Sequence, residues 1–383
     1  MLHRAITHRK FHRPAPMPAL YEHALSVTDS DYQRRTPMLP PSRRGFLARL
    51  AAIGAGGLGP AGLLAADTPN LITPETKVAI QAGLSWLKEQ QHKDGSFGSV
   101  ARYQENVGIA GLVGLAFLSS GSTPGRGPYG AALDRVIDFL ITCSTPTGYI
   151  VEPDSAVESP MYGHGFATMF LAEALGMSER DDLSKVVRKA VALILQTQND
   201  EGGWRYFPVP KDADVSVTVC QLMALRAARN TGISVPKETI DRGVKYIEKC
   251  QNPDGGFRYR IFDSQESRFA RSAAAVVALY TSGIHEGPVL EKGRAYLRPF
   301  LPGVRGIHEQ DFYFYGHYYA VQAAWHAGGD FWDSWYPAIR AELLRSQAND
   351  GSWFDAWFGS EFSTAMALIV LQAPNHLLPI FDR

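Results

Sequence analysis

The chain has little cysteine, no surplus of either charge, and no segment that alternates apolar and polar residues. Three thiols (Cys143, Cys220 and Cys250) are too few for a disulfide framework, and none stands in the CxxC or CxxH spacing of a zinc site. No metal or cofactor is expected. Lys+Arg and Asp+Glu balance at 38 each, which argues against a basic nucleic-acid or membrane-surface binder. The missing strand alternation excludes a sheet as the framework. What is present is 45% hydrophobic content in 383 residues, enough for one large helical domain or two ordinary ones.

The even balance conceals an asymmetry. Residues 1–66 carry nine Lys/Arg against three Asp/Glu, which leaves 29 against 35 in the remainder, a formal charge of −6. Within the basic leader, Ser42-Arg43-Arg44-Gly45-Phe46-Leu47 precedes the Gly/Ala/Leu stretch Leu50 to Ala66. A twin arginine before a mildly apolar segment resembles a twin-arginine export signal. Pro60 and the glycines make that segment a poor permanent membrane helix. Cleavage after Ala66 is expected, which places the mature chain, 67–383, in the periplasm or envelope with no transmembrane anchor. Met38 is the expected start of a signal over 38–66, and 1–37 a mis-assigned or disordered extension.

The mature chain repeats itself. Four copies of one turn recur: Gln91…Gly95-Ser96-Phe97, Gln198…Gly202-Gly203-Trp204, Gln251…Gly255-Gly256-Phe257 and Gln347…Gly351-Ser352-Trp353. Degenerate copies centre on Ser144 and Leu301, so the six landmarks at 91, 144, 198, 251, 301 and 347 stand 46 to 54 residues apart. After each turn comes an apolar segment of helical period: Ile109–Leu118, Gly165–Leu175, Ser216–Arg226, Ala270–Leu279, Tyr318–Trp325 and Ser363–Leu371. The helices before the turns carry charge, as in Lys185-Val186-Val187-Arg188-Lys189, and suit an outer layer; the apolar ones suit an inner layer packed on both sides. Six helix–turn–helix units of this kind close into a ring, an all-α α/α toroid in one domain. The turn residues are read as structural: Gly for positive φ, the Gln amide for carbonyls left open at the helix end, and the aromatic as a plug between hairpins.

The spacing Arg/Lys-Gly/Ala-x2-aromatic-Leu/Ile-x3-Gln-x3-Gly-x-Trp/Phe resembles the tryptophan-glutamine repeat of squalene-hopene cyclases. Lys189-Ala190…Gln198…Gly202-Gly203-Trp204 matches it throughout, and Arg242-Gly243…Gln251…Gly255-Gly256-Phe257 matches with Phe for Trp. The resemblance runs from about Thr73 to Gln372 and implies the terpenoid cyclase/protein prenyltransferase superfamily, an α/α toroid. It implies cyclase- or prenyltransferase-like chemistry only where the catalytic motifs match. The cyclase signature Asp-x-Asp-Asp-Thr falls on Asp214-Val215-Ser216-Val217-Thr218, so the family's proton donor becomes Ser216. A prenyltransferase's Asp-x-Cys zinc pair has no counterpart, and His317, in a segment similar to that family's His segment, lacks partners. The Cys-Gly-Glu-Gln of macroglobulin thioester domains is absent.

Residues just before the inner helices gather at one end of such a ring. Counting from the repeat landmarks, His164, Asp214, Arg268 and Ser360 occupy equivalent places, with Phe314 in the fifth copy. Asp214 and His164 are the catalytic candidates, for acid–base work. Arg268, His317, Tyr315, Tyr319, Tyr259, Phe269 and Phe362 are the candidate ligand-binding residues, for an apolar molecule held among aromatic faces. Capping alone accounts for Asp214 and Ser360.

Three functions stay open at this level. The leading one is a monomeric envelope protein that binds, or modifies, an isoprenoid-like ligand in the central cavity. The second is a non-catalytic scaffold. The third is a polysaccharide-active toroid enzyme, for which Glu105, Asp154, Glu158, Asp214 and Glu361 are the available carboxylates.

Overall fold

A computed structural model describes residues 71–153, 157–303 and 312–381. The expected export signal over 38–66, the expected extension 1–37 and Asp154 lie outside these. Among the described residues there is no β-strand, and twelve α-helices follow one another in pairs. The outer helices are α1 (Pro74–Gln90), α3 (Gly130–Thr142), α5 (Asp181–Gln196), α7 (Lys237–Lys249), α9 (Pro288–Leu297) and α11 (Gly329–Ser346). The inner helices are α2 (Val107–Ser119), α4 (Pro160–Leu175), α6 (Val215–Asn230), α8 (Phe269–Thr281), α10 (Tyr313–Ala327) and α12 (Ser360–Gln372).

The two layers differ as their sequences require. Helix α5 buries one stripe, including Leu183, Val187, Ala190, Val191 and Ile194, and leaves Lys185 and Lys189 outside it. Every residue of α2 is buried. Each inner helix packs against the next, and α12 packs against α2, so six hairpins close into a ring.

Inner helices α4 and α10 begin five residues earlier than their apolar periodicity indicates. The glycines in these helix starts serve close approach. A Cβ on Gly165 would stand 2.5 Å from Cys220 Sγ, and one on Gly316 would stand 2.5 Å from the Phe269 ring. Packing against the neighbour offsets the helix propensity that glycine forgoes.

The repeated turns fasten the ring. Gln198 Nε2 donates to Gly202 O at 2.7 Å and to Thr239 O, in the first turn of the next outer helix, at 2.9 Å. Gln91 reaches Ala132 O, Gln251 reaches Val289 O, and Gln347 reaches Ala79 O on α1, which closes the circle. The glutamines therefore do more than satisfy carbonyls of their own turn: each ties its hairpin to the following one. The indoles take the open carbonyls at the preceding helix end instead, Trp204 Nε1 donating to Ile194 O at 2.7 Å and Trp353 Nε1 to Leu343 O at 2.9 Å.

Candidate functional site

Because each outer helix runs antiparallel to its inner partner, all six inner helices point the same way. Their N-termini, and the loops leading into them, surround one end of the ring. A cavity of about 780 Å³ opens there. Ile109 and Leu112 of α2 and Phe166 of α4 line one side. The other carries Arg268, Phe269 and Arg271 of the α8 start, Tyr315 of α10, Phe358 just before α12 and Phe362 in its first turn. Tyr162, Tyr206, Tyr259 and Ser216 fill the wall between.

Five of the seven candidate ligand-binding residues come together here: Arg268, Tyr259, Phe269, Tyr315 and Phe362. His317 and Tyr319 do not line the cavity. Tyr319 is buried with its ring edge-on to Tyr315 at 4.9 Å. His317 is buried between Phe269 at 4.9 Å and Tyr313 at 4.5 Å, and burial lowers its imidazole to about 3. It packs as a neutral ring among aromatic neighbours behind the lining.

The two catalytic candidates lie behind the lining. His164 is fully buried, and its Nδ1 accepts the backbone N–H of Ile150 at 3.2 Å. Thr218, Ser272 and Thr364 do the same for the turns of their hairpins, accepting from Trp204 N, Phe257 N and Trp353 N. His164 is therefore equivalent to these turn-locking hydroxyls and not to Asp214, because α4 starts at Pro160, well before it. Burial holds its imidazole down at about 4. Ser360 is likewise inside its helix, with Gly359 at the cap, and Phe314 follows the cap Phe312 by two residues.

Asp214 is the cap of α6. Its Oδ1 accepts from Val217 N at 2.9 Å, while Oδ2 is buried with no hydrogen-bond partner among the described residues. Burial pushes the carboxyl up to about 7, opposed in part by the Val217 N–H and the Arg205 charge. Tyr206 and Tyr259 meet hydroxyl to hydroxyl at 2.5 Å, and Arg205 covers the Tyr206 ring at 4.5 Å.

The family model described as the prenyltransferase α/α toroid domain matches residues 84–298, more than half of the chain. The chain belongs to that family. Curated relatives include protostadienol synthase A of Arthroderma gypseum, 30% identical over 101 residues, and drimenyl diphosphate synthase of Streptomyces showdoensis, 21% identical over 184 residues. These matches take in 24% and 48% of this chain but only 13% and 33% of the relatives, so the chain spans a third or less of their length. Among solved structures, a variant of the type II terpene cyclase MstE from Scytonema, in complex with geranylgeranyl dihydroxybenzoate, superposes with a TM-score of 0.55 at 17% identity. That alignment covers 79% of this chain and 98% of the cyclase. An α-1,6-mannanase of Salegentibacter in complex with α-1,6-mannotriose gives 0.60 at 8% identity, covering 79% and 99%. At these identities the likeness shows the fold alone.

Ser216, which the cyclase resemblance sets at the proton donor's place, lines the cavity. Thr218 is explained by its bond to Trp204 N at 3.1 Å. Sequence reasoning missed the α2–α4 side of the wall, and Tyr296 and Phe300 at the end of the outer helix α9, which also line the cavity. The aliphatic residues look like ordinary core in sequence, and nothing in an outer helix marks its last turn as cavity wall. No group of three or more His, Cys, Asp or Glu residues among the described ones is arranged to hold a metal ion.

Proposed function

We propose that this toroid protein is exported by the twin-arginine route and works in the envelope as a binding protein for an isoprenoid-like apolar ligand. The cavity carries the reading: about 780 Å³ behind an aromatic and aliphatic wall lies in the range of sites that enclose ligands of that size. One end of it is cationic. Arg271 is half-buried, stands over the Tyr259 ring at 5.3 Å, and makes no hydrogen bond or ion pair among the described residues. Burial lowers its pKa, so an anionic or strongly polar head beside it relieves a poorly compensated charge. Arg268 is held nearby by Glu266 at 2.6 Å.

The reading is binding rather than proton-initiated cyclisation, since a serine hydroxyl at position 216 is far too weak an acid to protonate an alkene. A sugar-hydrolysing reading calls for two carboxylates facing one substrate. Glu105, Glu158, Asp214 and Glu361 are not among the lining residues, and Glu266, which is, is engaged by Arg268.

Native mass spectrometry of protein purified from a bacterial envelope, followed by organic extraction, tests the proposal. A bound isoprenoid near one per chain is expected, lost in Leu112→Trp, which fills the cavity. A wild-type protein that stays empty in the presence of envelope lipid overturns it.

A further inference from the structure

Many polar groups of the cavity wall are engaged with one another or with groups behind them. Arg268 bonds Glu266, Asn106 bonds Glu152, Ser267 bonds Asp254, and Tyr206 meets Tyr259. Three lining hydroxyls stand apart from these pairs. They belong to Tyr162, Ser216 and Tyr315, each in the first turn of its helix, α4, α6 and α10 in that order.

The three come from helices that are not all neighbours. In the ring α10 lies opposite α4, and α8 separates it from α6. Tyr315 therefore meets the other two across the lumen and not along the wall. Burial pushes the phenols of Tyr162 and Tyr315 well above their ordinary range, and in each the Ser216 hydroxyl beside it opposes that shift. Tyr315 Oη is buried with no hydrogen-bond partner among the described residues. A buried hydroxyl left in that state costs stability, and an oxygen brought to it removes the cost.

The patch is held in place from behind. Met161 O accepts from Gln221 Nε2 at 2.9 Å and Tyr162 O from Cys220 Sγ at 3.6 Å, both donors on α6. Met161 N donates to Tyr206 O at 3.0 Å. The Tyr315 ring is set edge-on to Tyr319 at 4.9 Å. Side chains fixed in this way lose little freedom when a ligand meets them.

The chemistry of the patch is that of a neutral partner. Of the lining cations, Arg268 is paired with Glu266 and Arg271 stands over the Tyr259 ring. The charge that acts on both Tyr162 and Tyr315 is the carboxyl of Asp214, which adds to burial in raising them and repels an anion. Two phenols that donate and a serine that also accepts match an uncharged oxygen. An alcohol takes hydrogen bonds from the phenols and returns one to Ser216 Oγ; a carbonyl takes the first two alone.

We infer that Tyr162, Ser216 and Tyr315 form a subsite for an uncharged oxygen function of the ligand, an alcohol or a carbonyl, so that the cavity selects an oxygenated isoprenoid over the bare hydrocarbon. This rests on the ligand reading above and names the class of ligand within it. A hydrocarbon fills the same apolar wall but leaves the buried hydroxyls unbonded, which is the stronger form of discrimination a binding site has.

The test uses the full chain in detergent with three probes of one skeleton: geranylgeraniol, its aldehyde, and the matching hydrocarbon without the oxygen. Each probe's affinity for a variant is compared with its affinity for the wild type, so its partition into detergent cancels. Tyr315→Phe, which removes a single oxygen, is expected to weaken the alcohol and the aldehyde about fivefold and leave the hydrocarbon unchanged. Ser216→Ala is expected to weaken the alcohol alone. Tyr315→Phe is also expected to leave the melting temperature unchanged or raised, because the lost hydroxyl had no partner. A fall of several degrees makes that hydroxyl structural and overturns the assignment. Three probes that bind and respond alike to both variants remove the subsite and leave the cavity. Oxygenated probes weakened by Arg271→Gln but not by Tyr315→Phe place the oxygen at the cationic end, which also overturns the subsite. Failure of every probe to bind overturns the ligand reading and the subsite with it.

Discussion

The two ends of the ring reverse the same helices by different means. At the mouth end, Gly202 has φ +100° and a Cβ there would stand 2.4 Å from Arg242 O on the next outer helix. At the opposite end, Gly232 joins α6 to α7 with φ +87° and nothing within 4 Å of the Cβ position. Both glycines permit a left-handed residue, but only the first also admits a neighbouring backbone. The mouth-end turn reverses the chain and fastens two hairpins together, whereas the far-end turn only reverses it. This explains why the repeated Gln-x3-Gly-x-aromatic pattern marks one end alone.

The strongest test of that contrast is a pair of alanines. Gly202→Ala is expected to cost about 4 kcal/mol or to prevent folding, since a strained φ is joined by a clash with backbone. Gly232→Ala is expected to cost only about 1 kcal/mol; urea titration of both checks the difference, and equal losses refute the fastening role.

A second test separates the site from the belt around it. The folded pKa of Asp214, about 7, lies above its ordinary 3.8, so burial of the charge destabilises. That penalty is absent below about pH 4, grows between pH 4 and 7, and is complete above pH 7. Asp214→Asn is expected to remove this fall in stability, which amounts to a few kcal/mol because each tenfold change in proton affinity is about 1.4 kcal/mol. Urea midpoints at pH 5 and pH 8 measure it. An unchanged wild-type pH slope in the variant assigns the slope to another group. His164 and His317, held neutral at about 4 and about 3, lower stability in the opposite sense as pH falls below about 6.5.

A smaller loss is expected from Gln198→Ala, which frees the carbonyls of Gly202 and Thr239; about 2 kcal/mol is the scale for two such bonds. Trp204→Phe removes the single bond to Ile194 O and is expected to cost about 1 kcal/mol. Phe257 already serves that place in the fourth hairpin without an N–H to donate. Thermal melts resolve both, and a Trp204→Phe loss exceeding that of Gln198→Ala reverses the order of fasteners.

Much of this fold was legible because its fasteners are short-range. Gln91, Gln198, Gln251 and Gln347 each bridge four residues within their turn, and their further reach is to the next repeat. A recurring local bond leaves a recurring local pattern. The equivalence of His164 with Asp214 failed for the same reason in reverse. The second copy is degenerate, so its landmark gave the wrong register for α4. Each residue of slip turns a side chain about a quarter of the way around a helix, so a short register error separates a cap from a turn lock.

Six hairpins, an inner and an outer layer, and a ring closed by its own repeat are all written in the amino-acid pattern. They follow from periodicity and from contacts between adjacent repeats. The site is not written there; it exists only once the ring is closed. Closure chose which aromatics share a cavity, left Arg271 half-buried with no ion pair among the described residues, and put Asp214 and His164 behind the wall. These groups come from helices as far apart in the chain as those of Ile109 and Phe362. Closing the ring fixes each helix's rotation against its neighbours, and that rotation is what brings such distant side chains face to face.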